Sequence, residues 1–367
     1  MKSTSLLLSL SCAAGVASAG AIFSVTDLGS LGGSAAQAFG LNASGQAVGA
    51  ASNAFGYTHA FSNFANGMTD LTINTGASEG FASAINAQGQ IAGTQYVNGQ
   101  AIATVWTNGS ANAIAGPGSF ATGINDSGTV TGMLGNGHAF AGTNELTAFN
   151  WSSGYGINAS GQVAGYAQVL PGVFRGFIWT PSTGYVLLGT LGGTNSYAMA
   201  INDSGQVVGN AQMASGYSHA FLSSGGALED LGSLGGSSYA YGLNAHGDVV
   251  GYSYVGGAAH AFLFENGVMI DLNALIDAPG WVLTQAYAIN GSGQIVGSGI
   301  LNGAEHAFRL DYLAGYTDVA SSAAVAAPEP AAWMLAAIGL ALVVSSRIRF
   351  RPRLPQPRKN QTRELRG

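Results

Sequence analysis

The chain has 367 residues, of which only 8% carry charge, against about 25% in an ordinary soluble domain. Glycine fills the vacated share with 57 residues, while a hydrophobic content of 47% argues against intrinsic disorder. Residues 20–327 hold 2 basic residues, Arg175 and Arg309, against 15 acidic ones, a balance that repels phosphate backbones and disfavours nucleic acid as a partner.

The N-terminus reads as an address. Met1-Lys2 is followed by apolar Leu6-Leu7-Leu8-Ser9-Leu10 and then Ala17-Ser18-Ala19. A basic start, a short apolar stretch and an A-x-A site, here Ala17 and Ala19, predict a secretory signal peptide over residues 1–19. A lipoprotein reading around Cys12 is weaker, because Ser9 stands where a lipobox wants leucine. Cys12 is the only cysteine, so the processed chain has no disulfide, zinc–thiolate site or iron–sulfur cluster.

Residues 20–315 are seven copies of one unit. The phrase Asn-x-x-Gly-x-φ-x-Gly, with φ aliphatic or once alanine, begins at Asn42, Asn86, Asn125, Asn158, Asn202, Asn244 and Asn290, about 41 residues apart. A second phrase follows each: His59-Ala60-Phe61, His138-Ala139-Phe140, His219-Ala220-Phe221, His260-Ala261-Phe262 and His306-Ala307-Phe308. Units two and four carry Ile102-Ala103-Thr104-Val105-Trp106 and Arg175-Gly176-Phe177-Ile178-Trp179 instead. Each unit reads as four short strands. In Asn-x-x-Gly the asparagine tolerates a left-handed conformation and can close an Asx-turn, and the glycine supplies positive φ. Asn-Gly at 66–67, 108–109 and 266–267 predicts a second hairpin.

Seven units of four strands predict an all-β chain folded as a seven-bladed β-propeller, with a stacked β-solenoid as the alternative. One detail favours a ring. The seventh unit stops at His306-Ala307-Phe308-Arg309-Leu310 without a fourth strand, and a surplus strand, Phe23 to Gly29, precedes unit one with the same Asp-Leu-Gly ending as Asp230-Leu231-Gly232. A ring would use it to complete the last blade and remove two exposed edges.

No constellation reads as catalytic, and the composition calls for neither cofactor nor metal. A histidine that recurs once per unit is more simply scaffold than catalyst. Asp70, Asp230 and Asp271 lie 11 residues after His59, His219 and His260, while units two and four lack both partners. This predicts structural His–Asp hydrogen bonds joining third and fourth strands, with Asp27 as the partner of His306 across the closure and Glu145 or Asn150 for His138. If buried, each such bond contributes about 1.5–3 kcal/mol. His246 stands outside the pattern, in a turn. Asn-Asp-Ser-Gly at 125–128 and 202–205 lacks the spacing and distal Glu of a calcium loop. The Leu-Gly-Gly steps at 31–33, 191–193 and 234–236 read as turns between blades. Tyr239, Tyr241, Tyr252 and Tyr254 concentrate aromatic surface in one unit.

The unit resembles the HAF repeat of extracellular bacterial proteins, on the His-Ala-Phe phrases above. That resemblance covers about 290 residues and implies location rather than chemistry.

After a small-residue linker, 316–327, the C-terminus runs Pro328-Glu329-Pro330, apolar 331–346, then Arg347-Ile348-Arg349-Phe350-Arg351-Pro352-Arg353. Sixteen apolar residues reach roughly 24 Å as a helix, enough to span with arginines snorkelling, and the positive charge places residues 354–367 in the cytoplasm. A buried C-terminal helix would leave the sharp step to arginine unexplained. The segment 328–353 resembles the PEP-CTERM sorting signal of Gram-negative bacteria, departing from it by the extra stretch Leu354 to Gly367. The resemblance implies an exosortase as processing partner, a membrane-anchored precursor, and association with exopolysaccharide-producing cells. Together these features predict an exported, non-enzymatic surface or matrix protein. A glycan-binding or adhesive propeller is the second reading, and a glycan hydrolase or lyase the third. An ice-binding surface would want Thr-x-Thr ladders, which are absent.

Overall fold

The computed structural model describes residues 21–64 and 67–313. Outside them lie the signal segment with Ala17 and Ala19, the linker, and the sorting motif with Pro328, Glu329, Pro330, Arg347, Arg349, Arg351 and Arg353. The predicted span 331–346, the tail 354–367 and Asn66 of one predicted turn also lie outside the described residues. Among the described residues no helix is long and apolar enough to cross a membrane; helical structure there is a 3-10 turn, Leu272–Leu275.

The repeat folds as a seven-bladed β-propeller. Every unit forms a four-stranded antiparallel sheet, and a single parallel bridge, Ala35 to Glu305, links the sheets of blades seven and one. Blade six is representative, with Ser238–Leu243 innermost, followed outward by Val249–Val255, Ala258–Glu265 and Val268–Asp271. Second strands such as Ala47–Asn53 are buried on both faces because blades pack against them from both sides, so their sequences do not alternate. Where both central turn residues need positive φ, Asn-Gly provides it: Asn108 and Gly109 stand at 51° and 78°, Asn266 and Gly267 at 51° and 81°.

The ring closes with the surplus strand. Phe23–Asp27 pairs antiparallel with Ala304–Tyr312, Asp27 opposite Phe308, and so supplies the fourth strand of the blade that begins at Trp281. The closure repeats the bonding of ordinary blades. Leu28 N donates to Ala307 O at 3.0 Å, as Leu71 N does to Ala60 O at 2.8 Å and Leu231 N to Ala220 O at 3.0 Å. Phe23 is 1% exposed, with its ring 4.4 Å from that of Tyr312. A solenoid would leave this strand without a partner.

The final glycine of the repeated phrase has a steric cause. A Cβ on Gly49, Gly209 or Gly251 would sit 1.9 Å from the carbonyl oxygen of Gln37, Tyr197 or Tyr239 on the innermost strand, a distance no rotamer change relieves. The ring of the HAF phenylalanine covers the same spot, since a Cβ on Gly251 would also lie 2.9 Å from Phe262, itself fully buried. Glycine and phenylalanine therefore recur together. One is the flat surface on which the other packs.

The asparagines do more than the sequence shows. In each Asn-x-x-Gly turn positive φ belongs to the glycine, 78° at Gly45 and 74° at Gly293, and the asparagine stays in the ordinary region. Its Oδ1 accepts from the amide four residues on, Gln46 N to Asn42 Oδ1 at 3.0 Å, for example. Its Nδ2 crosses to the next blade. Asn42 Nδ2 donates to Asn86 O at 3.2 Å, Asn86 to Asn125 O at 3.1 Å, Asn125 to Asn158 O at 2.9 Å and Asn158 to Asn202 O at 3.1 Å. Asn202 continues to Asn244 O at 3.0 Å, Asn244 to Asn290 O at 3.4 Å, and Asn290 returns to Asn42 O at 3.1 Å across 248 residues. All seven asparagines are buried. A cyclic belt of side-chain to backbone bonds holds the blades at one end of the ring.

Candidate functional site

Both ends of the blades carry repeated polar groups, in different arrangements. The asparagine belt lies where innermost strands turn into second strands. The HAF histidines lie at the opposite end, where third strands begin and fourth strands finish. His59 Nδ1 is 2.7 Å from Asp70 Oδ2, His219 Nδ1 2.8 Å from Asp230 Oδ1, His260 Nδ1 2.6 Å from Asp271 Oδ2, and His306 Nδ1 2.9 Å from Asp27 Oδ2. His138 meets Glu145 Oε1 at 2.6 Å, seven residues on, and not Asn150. Hydrogen bonds from His138 and then from Asn136 hold the Glu145 carboxyl below the usual carboxylate range.

Each aspartate also caps the step to the next blade. Asp70 Oδ1 accepts from Thr72 N at 2.8 Å, Asp230 Oδ1 from Gly232 N at 2.8 Å, Asp271 Oδ1 from Asn273 N at 2.9 Å and Asp27 Oδ1 from Gly29 N at 2.9 Å. At Asp70, Asp271 and Asp27 the histidine fixes one carboxylate oxygen while the other turns the chain; at Asp230 the Oδ1 atom serves both.

The four His–Asp pairs are less buried than their spacing suggests, with side-chain exposures from 13% at His59 to 37% at Asp230. Solvent screening lowers the expected contribution from about 1.5–3 kcal/mol to about 0.5–1.5 kcal/mol. His260→Ala and Asp271→Ala should each destabilise by about that amount, and the double variant should lose less than the two combined, as urea unfolding would read. Additive losses would mean the two side chains act independently.

The remaining sequence candidates are simply placed. His246 is exposed in its turn, its backbone N donating to Asn244 Oδ1 at 2.9 Å. Asp126 Oδ1 accepts from Ala87 N at 2.9 Å and Asp203 Oδ1 from Ala159 N at 2.8 Å, so both Asn-Asp-Ser-Gly turns use their aspartate to hold the preceding blade. Among the described residues no three His, Cys, Asp or Glu side chains gather in the manner of metal ligands.

What periodicity concealed is the central channel, a cavity of about 280 Å³ lined by the innermost strands of all seven blades. Counted back from each asparagine, its wall has three layers. The nearest is aliphatic throughout: Leu41, Ile85, Ile124, Ile157, Ile201, Leu243 and Ile289. The next is glycine or alanine at every blade, because strands meet there backbone to backbone; a Cβ on Gly242 would lie 2.7 Å from Tyr287 O. The third layer sits at a β-bulge that recurs in every innermost strand, as between Ala38 and Gly40 or Ala240 and Gly242. It alone varies, as Phe39, Ser83, Thr122, Tyr155, Met199, Tyr241 and Tyr287. Bulges re-aim side chains and are over-represented beside functional sites.

The variable layer is lopsided. Tyr241, Tyr287 and Phe39, from blades six, seven and one, form a continuous arc with ring centroids 5.3 and 5.1 Å apart. Tyr252 backs it at 5.8 Å from Tyr241, and Tyr239 stacks on Tyr252 at 4.8 Å. A second cluster joins Tyr155, Tyr166 and Tyr197 in blades four and five. Burial raises the phenol pKa of Tyr241, Tyr252, Tyr287 and Tyr166, so all four remain protonated donors at neutral pH. Beside the arc, in a pocket of about 200 Å³ that shares Phe39 with the channel, Gln37 Nε2 donates to Glu305 Oε1 at 2.7 Å across the seam between blades one and seven, and Tyr287 OH bonds Gln285. Glu305 has no acidic counterpart before the other HAF histidines, where Thr58, Gly137, Ser218 and Ala259 stand.

No protein-family model matches the chain, and no curated protein matches it. Solved structures do. The β-propeller domain of the Trilobed protease from Pyrococcus furiosus, described as having an open velcro topology, aligns at a TM-score of 0.51 and 11% identity over 81% of this chain and 99% of that one. A puromycin-hydrolyzing peptidase of Mycobacterium tuberculosis aligns at 0.52 and 14% identity over 83% of this chain, which spans 55% of the peptidase. TolB from Acinetobacter baumannii aligns at 0.45 and 11% identity, over 74% of this chain and 64% of TolB. At these identities the first two likenesses concern fold alone. The chain is an all-β propeller, and its seventh blade is completed by its own N-terminal strand.

Proposed function

We propose that the protein is exported and serves at the cell surface or in the extracellular matrix as a non-enzymatic interaction scaffold, released to that place by exosortase processing of its tail. The observation that carries this reading is the engagement of the repeated histidines. Each lies beside a carboxylate of its own blade, one pair in each of five blades, rather than converging on a shared cavity. A general base must reach the proton it abstracts from a substrate in a common site, and a ring of separate pairs offers no such site. The signal-like N-terminus and the Pro-Glu-Pro, apolar and arginine sequence of the tail support export and sorting.

Intact mass of the surface form from a host with an exosortase tests this fate. The chain should begin after Ala19 and end near Pro328. A surface form that retains Arg347–Arg353 would defeat the sorting proposal.

A second reading, binding of extracellular polysaccharide, is favoured by the arc of Tyr241, Tyr287 and Phe39 at the channel. Aromatic rings edged with phenol groups suit sugar rings, which present C–H faces and hydroxyl rims.

A further inference from the structure

Two of the three channel layers are dictated by packing, one to aliphatic residues and one to glycine or alanine, so a ligand contact can be varied only at the bulge. There the chain departs from its own repeat. Large rings occupy blades six, seven and one, and again blade four as Tyr155, while blades two and three carry the small Ser83 and Thr122. The open side and the aromatic side therefore face one cavity, Tyr287 OH meets Gln285, and Gln37 and Glu305 line an adjoining pocket that shares Phe39 with the channel.

The geometry points to a binding site for one neutral pyranose ring, the terminal sugar of a glycan, packed against Phe39, Tyr287 and Tyr241 with its hydroxyls turned toward Gln285 and toward Glu305 and Gln37 of the adjoining pocket. The inference rests on the polysaccharide reading above and gives it a location. Size sets the single ring, since about 280 Å³ falls just short of the range of drug-sized sites, which begins near 300 Å³. Charge sets the neutrality. The two cations of the described residues are engaged away from the channel, Arg309 Nε with Asp311 at 3.0 Å and Arg175 with the carbonyls of Phe174 and Thr194. Nothing cationic faces a carboxylate or phosphate there. Gln37 occupies one oxygen of Glu305, and the second is left to accept from a sugar hydroxyl.

Calorimetric titration of the full chain tests the site, with methyl glycosides of neutral hexoses and of N-acetylhexosamine as probes. Glucuronic acid and tetramethylammonium serve as charged controls. A neutral glycoside should bind with a Kd on the order of 1 mM. Glu305→Gln, nearly isosteric, should weaken binding about tenfold at unchanged melting temperature, equivalent to about 1.4 kcal/mol. Tyr241→Ala should abolish it, whereas Tyr57→Ala, in an exposed hairpin of blade one, should leave it intact. Three results would overturn the assignment: no neutral glycoside binds, a charged control binds instead, or Glu305→Gln binds as wild type does. Polysaccharide retention that persists in the Glu305→Gln, Tyr241→Ala double variant would remove this site and leave the binding role standing. Loss of retention by the wild type as well would remove both.

Discussion

Phe23→Ala should cost about 3–5 kcal/mol, close to the largest loss a single side chain can produce in this fold. The ring is buried in the cluster formed by Leu272, Leu275, Leu283, Ile295 and Phe308, so truncation leaves a cavity that rigid strands on both sides cannot collapse. Removing Phe23–Asp27 altogether should be worse. The strand Ala304–Tyr312 would then present an unpaired hydrogen-bonding edge, and His306 would lose Asp27. The deleted chain should aggregate or pair edge to edge, which sedimentation would detect. A deleted chain that stays monomeric with an unchanged melting temperature would show that the ring does not depend on its N-terminal strand.

Asn290→Ala should destabilise by about 2–4 kcal/mol, more than any His–carboxylate pair. Asn290 Oδ1 accepts from Ser292 N at 3.1 Å and from Gln294 N at 3.0 Å, and its Nδ2 donates to Gln294 Oε1 and to Asn42 O. Alanine would leave the amides of Ser292 and Gln294 without this acceptor and the buried Asn42 carbonyl with Gly45 N alone, at 3.1 Å. Asn290→Asp separates the two halves of the effect, since it keeps the acceptor and removes the donor. If the cross-blade bond matters, Asp should recover only part of the loss, and Asn158→Ala, within the belt, should cost a similar amount. Equal stability of Asn290→Asp and wild type would assign the asparagine to its own turn alone.

The architecture was legible because it is repeated seven times, and each copy corrects the reading of the others. Four strands per unit, the closing strand and the His–Asp spacing of 11 all come from such comparison. For His138 it left two partners open, Glu145 and Asn150; blade three has a shortened outer hairpin, Ala139–Ala141 with Asn144–Leu146, which brings Glu145 up from seven residues away. The asparagine belt left no trace in one unit's sequence, since each donor meets a carbonyl in the next unit. The channel site was hidden for the opposite reason. It is the departure from repetition at the third residue before each asparagine, and Phe39, Tyr241 and Tyr287 read as ordinary packing aromatics until the bulge places them on one wall. Tyr239, Tyr241, Tyr252 and Tyr254 did stand out in the sequence. Their meeting with Tyr287 and Phe39, and the seam that brings Gln37 to Glu305 across 268 residues, are products of the ring.

The measurement that bears most directly on the account is binding of the full chain to an array of neutral and anionic glycans, with the mass of each glycan read afterwards. The account predicts retention of neutral glycans, no change in their mass, and the same pattern from His59→Ala and His219→Ala chains. Shortened glycans, or loss of retention in the histidine variants with the fold intact, would contradict it and assign the histidines to chemistry.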